Sequence, residues 1–252
     1  MLAVLQVQRA GSPGCIRVSS NVIRSIASVT KITTPHGDLI IQEQFTVPPG
    51  GATINTTDRW VWPTAVPLLH RLLDECAASP SSSSHSNTVL ELGAGCGVLG
   101  MGLAASGSFP QVILTDHNTN WLHKNVERNR DLVGDRIQVH KLDWGMEQDS
   151  RSLEASLVDQ QQRQTLDWIL GSDILFDPSS DRALVSTLRR FAEPNNASIL
   201  LAYPRRQDNE EAFVSIAKEH FDIQIEPIKD EMISSTPTTK EYSLARLSLK
   251  SS

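Results

Sequence analysis

Apolar and polar positions along the chain change period several times, and each change marks an element. Between Ser28 and Phe45, "SVTKITT" and "LIIQEQF" alternate around "PHGD", which predicts two strands joined at a Pro-Gly turn. "VPPGGATINTTDR" reads as a loop. Pro63 suits the first turn of a helix, and "TAVPLLHRLLDECAA" then places Val66, Leu69, Leu72, Leu73 and Cys76 at helical spacing. Pro67 lies early in that pattern and shifts the expected start. "SPSSSSHSN", residues 79–87, is a polar, low-complexity linker.

Beyond the linker the period switches regularly between strand and helix. Val89–Leu92 is a strand and Leu99–Ser106 a helix; "QVILTD" is a strand and "NTNWLHKNVERNR" a helix. "RIQVHKLDW" is a strand, Glu147–Gln164 a polar and partly helical insert, "LDWILGSDILF" a strand and Ser180–Phe191 a helix. "ASILLAY" is a strand, and "DNEEAFVSIAKEH" opens with acids suited to a helix N-terminus. "FDIQIEPI" and "EYSLARLSL" follow as two strands with no helix between them. Alternating strands and helices predict an α/β fold, a parallel sheet covered on both faces. The closing pair predicts an antiparallel hairpin at or near the sheet edge. Residues 1–27 are weakly patterned and expected to be loose. Residues 28–252 are expected to form one domain: a small N-terminal β-hairpin and helix (28–78), the linker (79–87) and the α/β core (88–252).

Composition narrows the class. A chain of 252 residues can bury a sizeable core without staples. Hydrophobic content of 39% and charged content of 21% are those of a soluble globular protein. The formal net charge of −6 argues against a broad nucleic-acid-binding surface. Cys15, Cys76 and Cys96 give neither a metal spacing nor an even disulfide framework, so the expectation is a reducing cytoplasm and no metal. The N-terminus lacks the charged and long apolar regions of a signal peptide, and no run approaches the ~20 apolar residues of a membrane span. A monomer is the default expectation.

The chemistry gathers around "TVLELGAGCGVLGMGLAA", residues 88–105. Gly93, Gly95 and Gly97 crowd the first strand-to-helix turn, where an open parallel sheet builds its ligand site. Glycine there permits positive φ and lets backbone N–H groups approach a ligand. Two ligands compete. Gly95-Cys96-Gly97-Val98-Leu99-Gly100 spells the dinucleotide fingerprint, and Asp116 follows Gly95 at the ribose-binding distance. Against a pyrophosphate, Glu91 places an acid at the strand end, and the first glycine of the tight turn is better read as Gly93, which makes the motif Glu-x-Gly-x-Gly-x-Gly. A tight turn that binds nothing is the plain alternative.

Taken together, Glu91 to Gly97, Asp116 after "VILT", Asp143-Trp144 after the third core strand and "GSDILFDP" after the fourth resemble the seven-β-strand S-adenosylmethionine-dependent methyltransferases. With "RWVWPTAVPLL" ahead of the glycine motif, they resemble more narrowly the protein-lysine branch, over roughly residue 28 onward. The resemblance implies a Rossmann-like seven-stranded sheet with helices on both faces. It puts Glu91 and the Gly93–Gly97 loop beside the methionine part and ribose of the cofactor, and Asp116 on both ribose hydroxyls. Asp143 and Trp144 would flank the adenine, Trp62 would close over the cofactor, and Ser172 would stand with the cofactor residues. Asp173 and Phe176 would form the mouth where a lysine enters.

Each position has a second explanation. Asp116 can cap the helix behind it, Trp144 can be a core aromatic, and Asp177 can cap a helix behind Pro178 and Ser179. If extended, "WVW" puts Trp60 and Trp62 on one face. Trp121, His123 and Asn125 fall on the second core helix, where packing and exposure account for them. The sequence departs from the family at Phe176, where the Asp-x-x-Tyr motif has tyrosine; a phenyl ring can wall a channel but offers no hydroxyl. The expected function is lysine methylation of a protein, and "GSDILFDPSSDRALVSTLRRF" with the closing strands looks most like enzymes acting on translation elongation factor 2. A small-molecule or nucleic-acid methyltransferase, a non-catalytic cofactor-binding module and a dehydrogenase are the alternatives.

Overall fold

Strand sequences that are apolar on both faces belong inside a sheet with helices on either side, and the chain folds that way. A computed structural model describes residues 7–10, 24–34, 37–47, 61–62, 64–78, 88–158, 165–204, 209–228 and 242–250. Two sheets form. The smaller is antiparallel, with β1 (Val7–Ala10), β2 (Arg24–Thr34) and β3 (Gly37–Val47) side by side in that order. The expected hairpin is thus longer than its alternation suggested. Residues 7–10 and 24–27, in the stretch expected to be loose, are strand: Val7 faces Ile32 and Arg24 faces Val47. Their own apolar alternation is weak, and pairing with β2 and β3 supplies what the local pattern lacks.

The larger sheet has seven strands: β4 (Thr88–Leu92), β5 (Gln111–Asp116), β6 (Ile137–Lys141), β7 (Trp168–Ser172), β8 (Ser198–Pro204), β9 (Phe221–Ile228) and β10 (Tyr242–Leu249). Their order is β6-β5-β4-β7-β8-β10-β9. The first five run parallel; β10 is antiparallel to both β8 and β9, which makes the hairpin the end of the sheet. The order reverses between β4 and β7, so the crevice for a ligand lies beyond the carboxyl ends of those two strands.

Helices cover both faces. One face carries α1 (Ala65–Ala78), α2 (Val98–Ser106), α3 (Asn120–Arg128) and the short α4 (Arg130–Val133). There Leu68, Leu69, Leu72, Leu99, Leu103 and Leu122 pack on Val89, Val112, Leu114, Leu170 and Leu200, together with Leu39 and Ile41 of β3. The other face carries α5 (Glu147–Leu157), α6 (Asp181–Ala192) and α7 (Asn209–Ala217), with Leu153, Leu184, Leu188 and Phe213 on Leu90, Leu92, Ile113, Ile169 and Ile199. Neighbouring residues of one strand divide between the two cores, as a sheet buried on both sides requires.

Helix α1 begins at Ala65, so Pro67 falls in its first turn, where the missing N–H has no intrahelical partner to lose. Helix α2 is apolar all round and buried from Val98 to Ala105. Of the insert at 147–164, residues 147–157 form α5, whose Leu153 and Leu157 join the core. Residues 159–164, the linker 79–87, Trp60 and Pro63 lie outside the described residues.

Candidate active site

The turn between β4 and α2 is built from backbone. Gly93, Gly95 and Gly97 have φ of 63°, 54° and 80°, all in the left-handed region that favours glycine. The Ala94 N–H donates to the Thr115 carbonyl at 2.9 Å and the Gly97 N–H to the Ala94 carbonyl at 2.7 Å, which fastens the turn to the end of β5. A Cβ on Gly93 would lie 2.8 Å from Ile174 Cγ2 and 3.3 Å from Trp144 Cζ2. The glycine therefore does more than turn the chain: it lets the loops after β4, β6 and β7 close on one another.

Asp116 ends β5 and is 5% exposed. Its Oδ2 accepts the Gly95 N–H at 2.9 Å; its Oδ1 accepts the Asn118 N–H at 3.1 Å and lies 2.8 Å from His117 Nδ1. The capping alternative does not hold, because the residue ahead of α3 is Thr119 and Asp116 is tied to the glycine loop. The Leu142 N–H donates to the Asp116 carbonyl at 3.0 Å, bringing Asp143 and Trp144 alongside. Asp143 is exposed, with its N–H on Asp149 Oδ2 at 3.0 Å; Trp144 is half-buried against the core.

Glu91 stands one residue before the end of β4. It is 1% exposed, and its Oε2 accepts the Gly100 N–H at 2.9 Å, one of the unsatisfied donors in the first turn of α2. Burial pushes its pKa up to about 8, the Gly100 bond opposes that rise, and Asp116 adds to it.

At the end of β7, Ser172 is half-buried and Asp173 is 5% exposed. Asp173 has φ of 57°, unusual for a side-chain-bearing residue and best tolerated by Asp and Asn. Its N–H donates to the Ala202 carbonyl at 2.8 Å, while its Oδ2 accepts the Thr64 N–H at 3.0 Å and the Thr64 hydroxyl. Thr64, just ahead of α1, escaped the sequence analysis; its partner lies 109 residues away, and no local pattern signals the pair. Trp62 is half-buried two residues earlier, so this contact keeps its backbone within about 7 Å of that of Thr64 at the end of β7. Phe176 is 41% exposed, and Asp177 Oδ1 accepts the Ser179 N–H at 3.0 Å as a helix cap.

The segments carrying the predicted residues thus converge beyond the carboxyl ends of the parallel strands at the switch point, with Glu91 buried in β4. Two buried amides lie nearby; the sequence reading assigns Asn125 to packing and exposure and does not consider Asn129. Asn125 and Asn129 are 0% and 4% exposed, and their side chains hydrogen-bond to the backbone of β3. The legible signal was asparagine recurring four residues apart within the stripe Leu122, Val126 and Val133.

A sequence model of the lysine methyltransferase family matches residues 50–220. The chain belongs to this family. It is 32% identical to "Protein N-lysine methyltransferase METTL21A" of Xenopus tropicalis over 65% of this chain and 68% of that one. It is 28% identical to a UPF0665 family protein of Schizosaccharomyces pombe over 64% of this chain, but spans only 46% of that protein's length. The crystal structure of the N-terminal domain of human METTL16 in complex with SAH is similar in fold, with a TM-score of 0.51 and 12% identity over 76% of this chain and 72% of that one. Among the described residues of this lysine methyltransferase family member, no helix is long and apolar enough to cross a membrane, and no group of three or more His, Cys, Asp or Glu side chains could hold a metal ion.

Proposed function

We propose that the protein transfers a methyl group from S-adenosylmethionine to a lysine side chain of a protein, with translation elongation factor 2 as the candidate substrate. The observation that carries the methyl-transfer reading is the meeting of the Gly93–Gly97 turn, Asp116, Trp144 and Asp173 at the switch point of a lysine methyltransferase family chain; the choice of substrate rests on the sequence resemblance alone. The residues fit the cofactor. Asp116 offers two carboxylate oxygens for a ribose diol, Asp143 an exposed acceptor for an exocyclic amine, and Trp144 an indole ring for a purine. Gly93, Gly95 and Gly97 leave backbone rather than side chains on that side of the site, and the half-buried Trp62 and Ser172 are assigned to its rim. Glu91 acts from below by holding the first turn of α2.

Bound there, the cofactor supplies an electrophilic methyl carbon. The chain's task is to bring the amine on axis at about 3–3.5 Å, where most of the rate gain arises. A free lysine near pH 7.4 is neutral in only about one molecule in a thousand, so the entrance must favour proton loss. Asp173, fixed by Thr64, accepts from the incoming ammonium and orients it. Phe176 walls the entrance with an exposed ring, and desolvation against that ring favours release of the proton to water. A cytoplasmic, monomeric enzyme is part of the same proposal.

The test is incubation of purified protein and labelled S-adenosylmethionine with elongation factor 2 and with cell extract, beside Asp116→Ala and Asp173→Ala. Asp116→Ala is expected to weaken S-adenosylhomocysteine binding by calorimetry. Asp173→Ala is expected to keep that binding and lose transfer. Label in RNA would replace the protein substrate with a nucleic acid; cofactor binding without label in any fraction would make the protein an interaction module. Preference for NAD over S-adenosylhomocysteine would overturn the cofactor assignment.

A further inference from the structure

Asn125 of α3 and Asn129, which caps the C-terminus of that helix, sit one turn apart and treat the edge of the small sheet as a neighbouring strand would. Asn129 accepts the Ile40 N–H at 2.7 Å and donates to the Ile40 carbonyl at 3.0 Å. Asn125 accepts the Gln42 N–H at 2.9 Å and donates to the Gln42 carbonyl at 3.2 Å. Each amide has one further donor, and there the two part. Asn129 turns its second N–H back to the Asn125 carbonyl at 2.7 Å, in the last turn of α3, and its amide nitrogen also lies 4.0 Å from Met101 Sδ of α2. Asn125 sends its second N–H to the Cys96 carbonyl at 3.1 Å, in the middle of the Gly93–Gly97 turn. The Cys96 thiol points at the Gln42 carbonyl as well, at 3.8 Å.

We infer that Asn125 is a positioning residue for the cofactor loop, and that through it β3 of the N-terminal sheet becomes a structural part of the cofactor site. This rests on the cofactor reading proposed above. The turn holds three glycines in the left-handed region, so its unbound backbone has many conformations to lose. Cys96 lies between two of those glycines, and fixing its carbonyl removes part of that freedom before a ligand arrives. Preorganisation of this kind adds to affinity without touching the ligand. Asn129 serves as the matched control, since it makes the same bidentate contact to β3 and none to the loop.

The experiment is titration of S-adenosylhomocysteine into wild type, Asn125→Ala and Asn129→Ala, at a temperature where thermal melts show all three folded. Both variants are expected to lower Tm. Asn125→Ala is expected to bind about tenfold more weakly, the loss of roughly one hydrogen bond's net worth. Asn129→Ala is expected to stay within about twofold of wild type. If Asn125→Ala does not fold, Asn125→Ser, a neutral and shorter polar side chain that loses the reach to the Cys96 carbonyl, is read in its place. Equal affinities of the two variants overturn the assignment while leaving the cofactor reading intact. Absence of binding by wild type overturns the cofactor reading, and the assignment with it.

Discussion

Two helices of this protein fasten distant segments, and they do it with opposite chemistry. Helix α3 and its C-cap residue hold β3 through the buried, neutral amides of Asn125 and Asn129. Helix α6 holds α5 through Arg190, whose guanidinium donates to Glu154 at 2.5 and 2.8 Å and also pairs with Glu147. The Arg190 cluster lies near solvent, where ions need little desolvation. The asparagines lie inside, where a charge would have to be stripped of water and a neutral amide meets a backbone N–H and C=O on equal terms. Depth therefore selects the fastener. A buried link fails expensively when cut, because its partners stay behind unsatisfied; an exposed link fails cheaply, because water replaces it.

The contrast can be broken at either end. The largest effect is expected from Asn129→Ala, which leaves the Ile40 N–H and carbonyl without their partner: about 2–4 kcal/mol by urea denaturation. Substitution of Arg190 by methionine should match that loss if depth has no bearing.

A second test cuts the buried side without touching an amide. A Cβ on Gly100 would run into Leu114 and stand 2.7 Å from Glu91 Oε2 and 3.0 Å from Val112 Cγ1. Gly100→Ala should cost about 1–3 kcal/mol, since α2 cannot move off a sheet it packs against on every side. An unchanged denaturation midpoint would show that α2 has room to shift.

Much of this molecule was readable from its sequence, and the readable part has a common cause. Period changes depend on neighbours two to four residues away, so the order of elements from Thr88 to Leu249 and the placement of Gly93, Asp116, Asp143 and Asp173 at strand ends were all legible. Contacts between segments 83 to 109 residues apart were not. Thr64 meeting Asp173, and Asn125 bridging Gln42 and Cys96, leave no local trace beyond a polar residue in an apolar stripe. Glu91 shows the same divide: its place at the strand end was clear, but the Gly100 N–H that its carboxyl oxygen accepts comes from how α2 lies on the sheet.

Glu91 also sharpens the comparison through pH. Its folded pKa of about 8 stands above the ordinary 4.5, so the protein's advantage from keeping it neutral is complete below pH 4.5 and fades as pH rises toward 8. Glu91→Gln should therefore gain on wild type over that interval, by at most about 1.4 kcal/mol per pH unit. A stability difference independent of pH between 5 and 8.5 would contradict the buried, neutral acid.

The smallest effect belongs to the exposed cluster. Arg190, and after it Arg151, hold the Glu147 pKa down to about 2, so the contribution of Glu147 is present above pH 4.5 and lost as pH falls toward 2. Arg190→Met should lower Tm by no more than about 3 °C at neutral pH and flatten the acid limb of the stability profile. Molar salt should shrink the difference, whereas salt should leave the cost of Asn129→Ala almost unchanged.

The position of β10 carries a consequence for how the molecule is made. The strand synthesised last of those described is not the outermost; it slots between β8 and β9, pairing along Tyr242–Leu247 with one and Tyr242–Leu249 with the other. Until residue 249 has cleared the ribosome, β8 presents an open, apolar border and β9 has no partner in the sheet. A nascent chain stalled before Tyr242 is therefore expected to be a substrate for chaperones and prone to pairing with other chains.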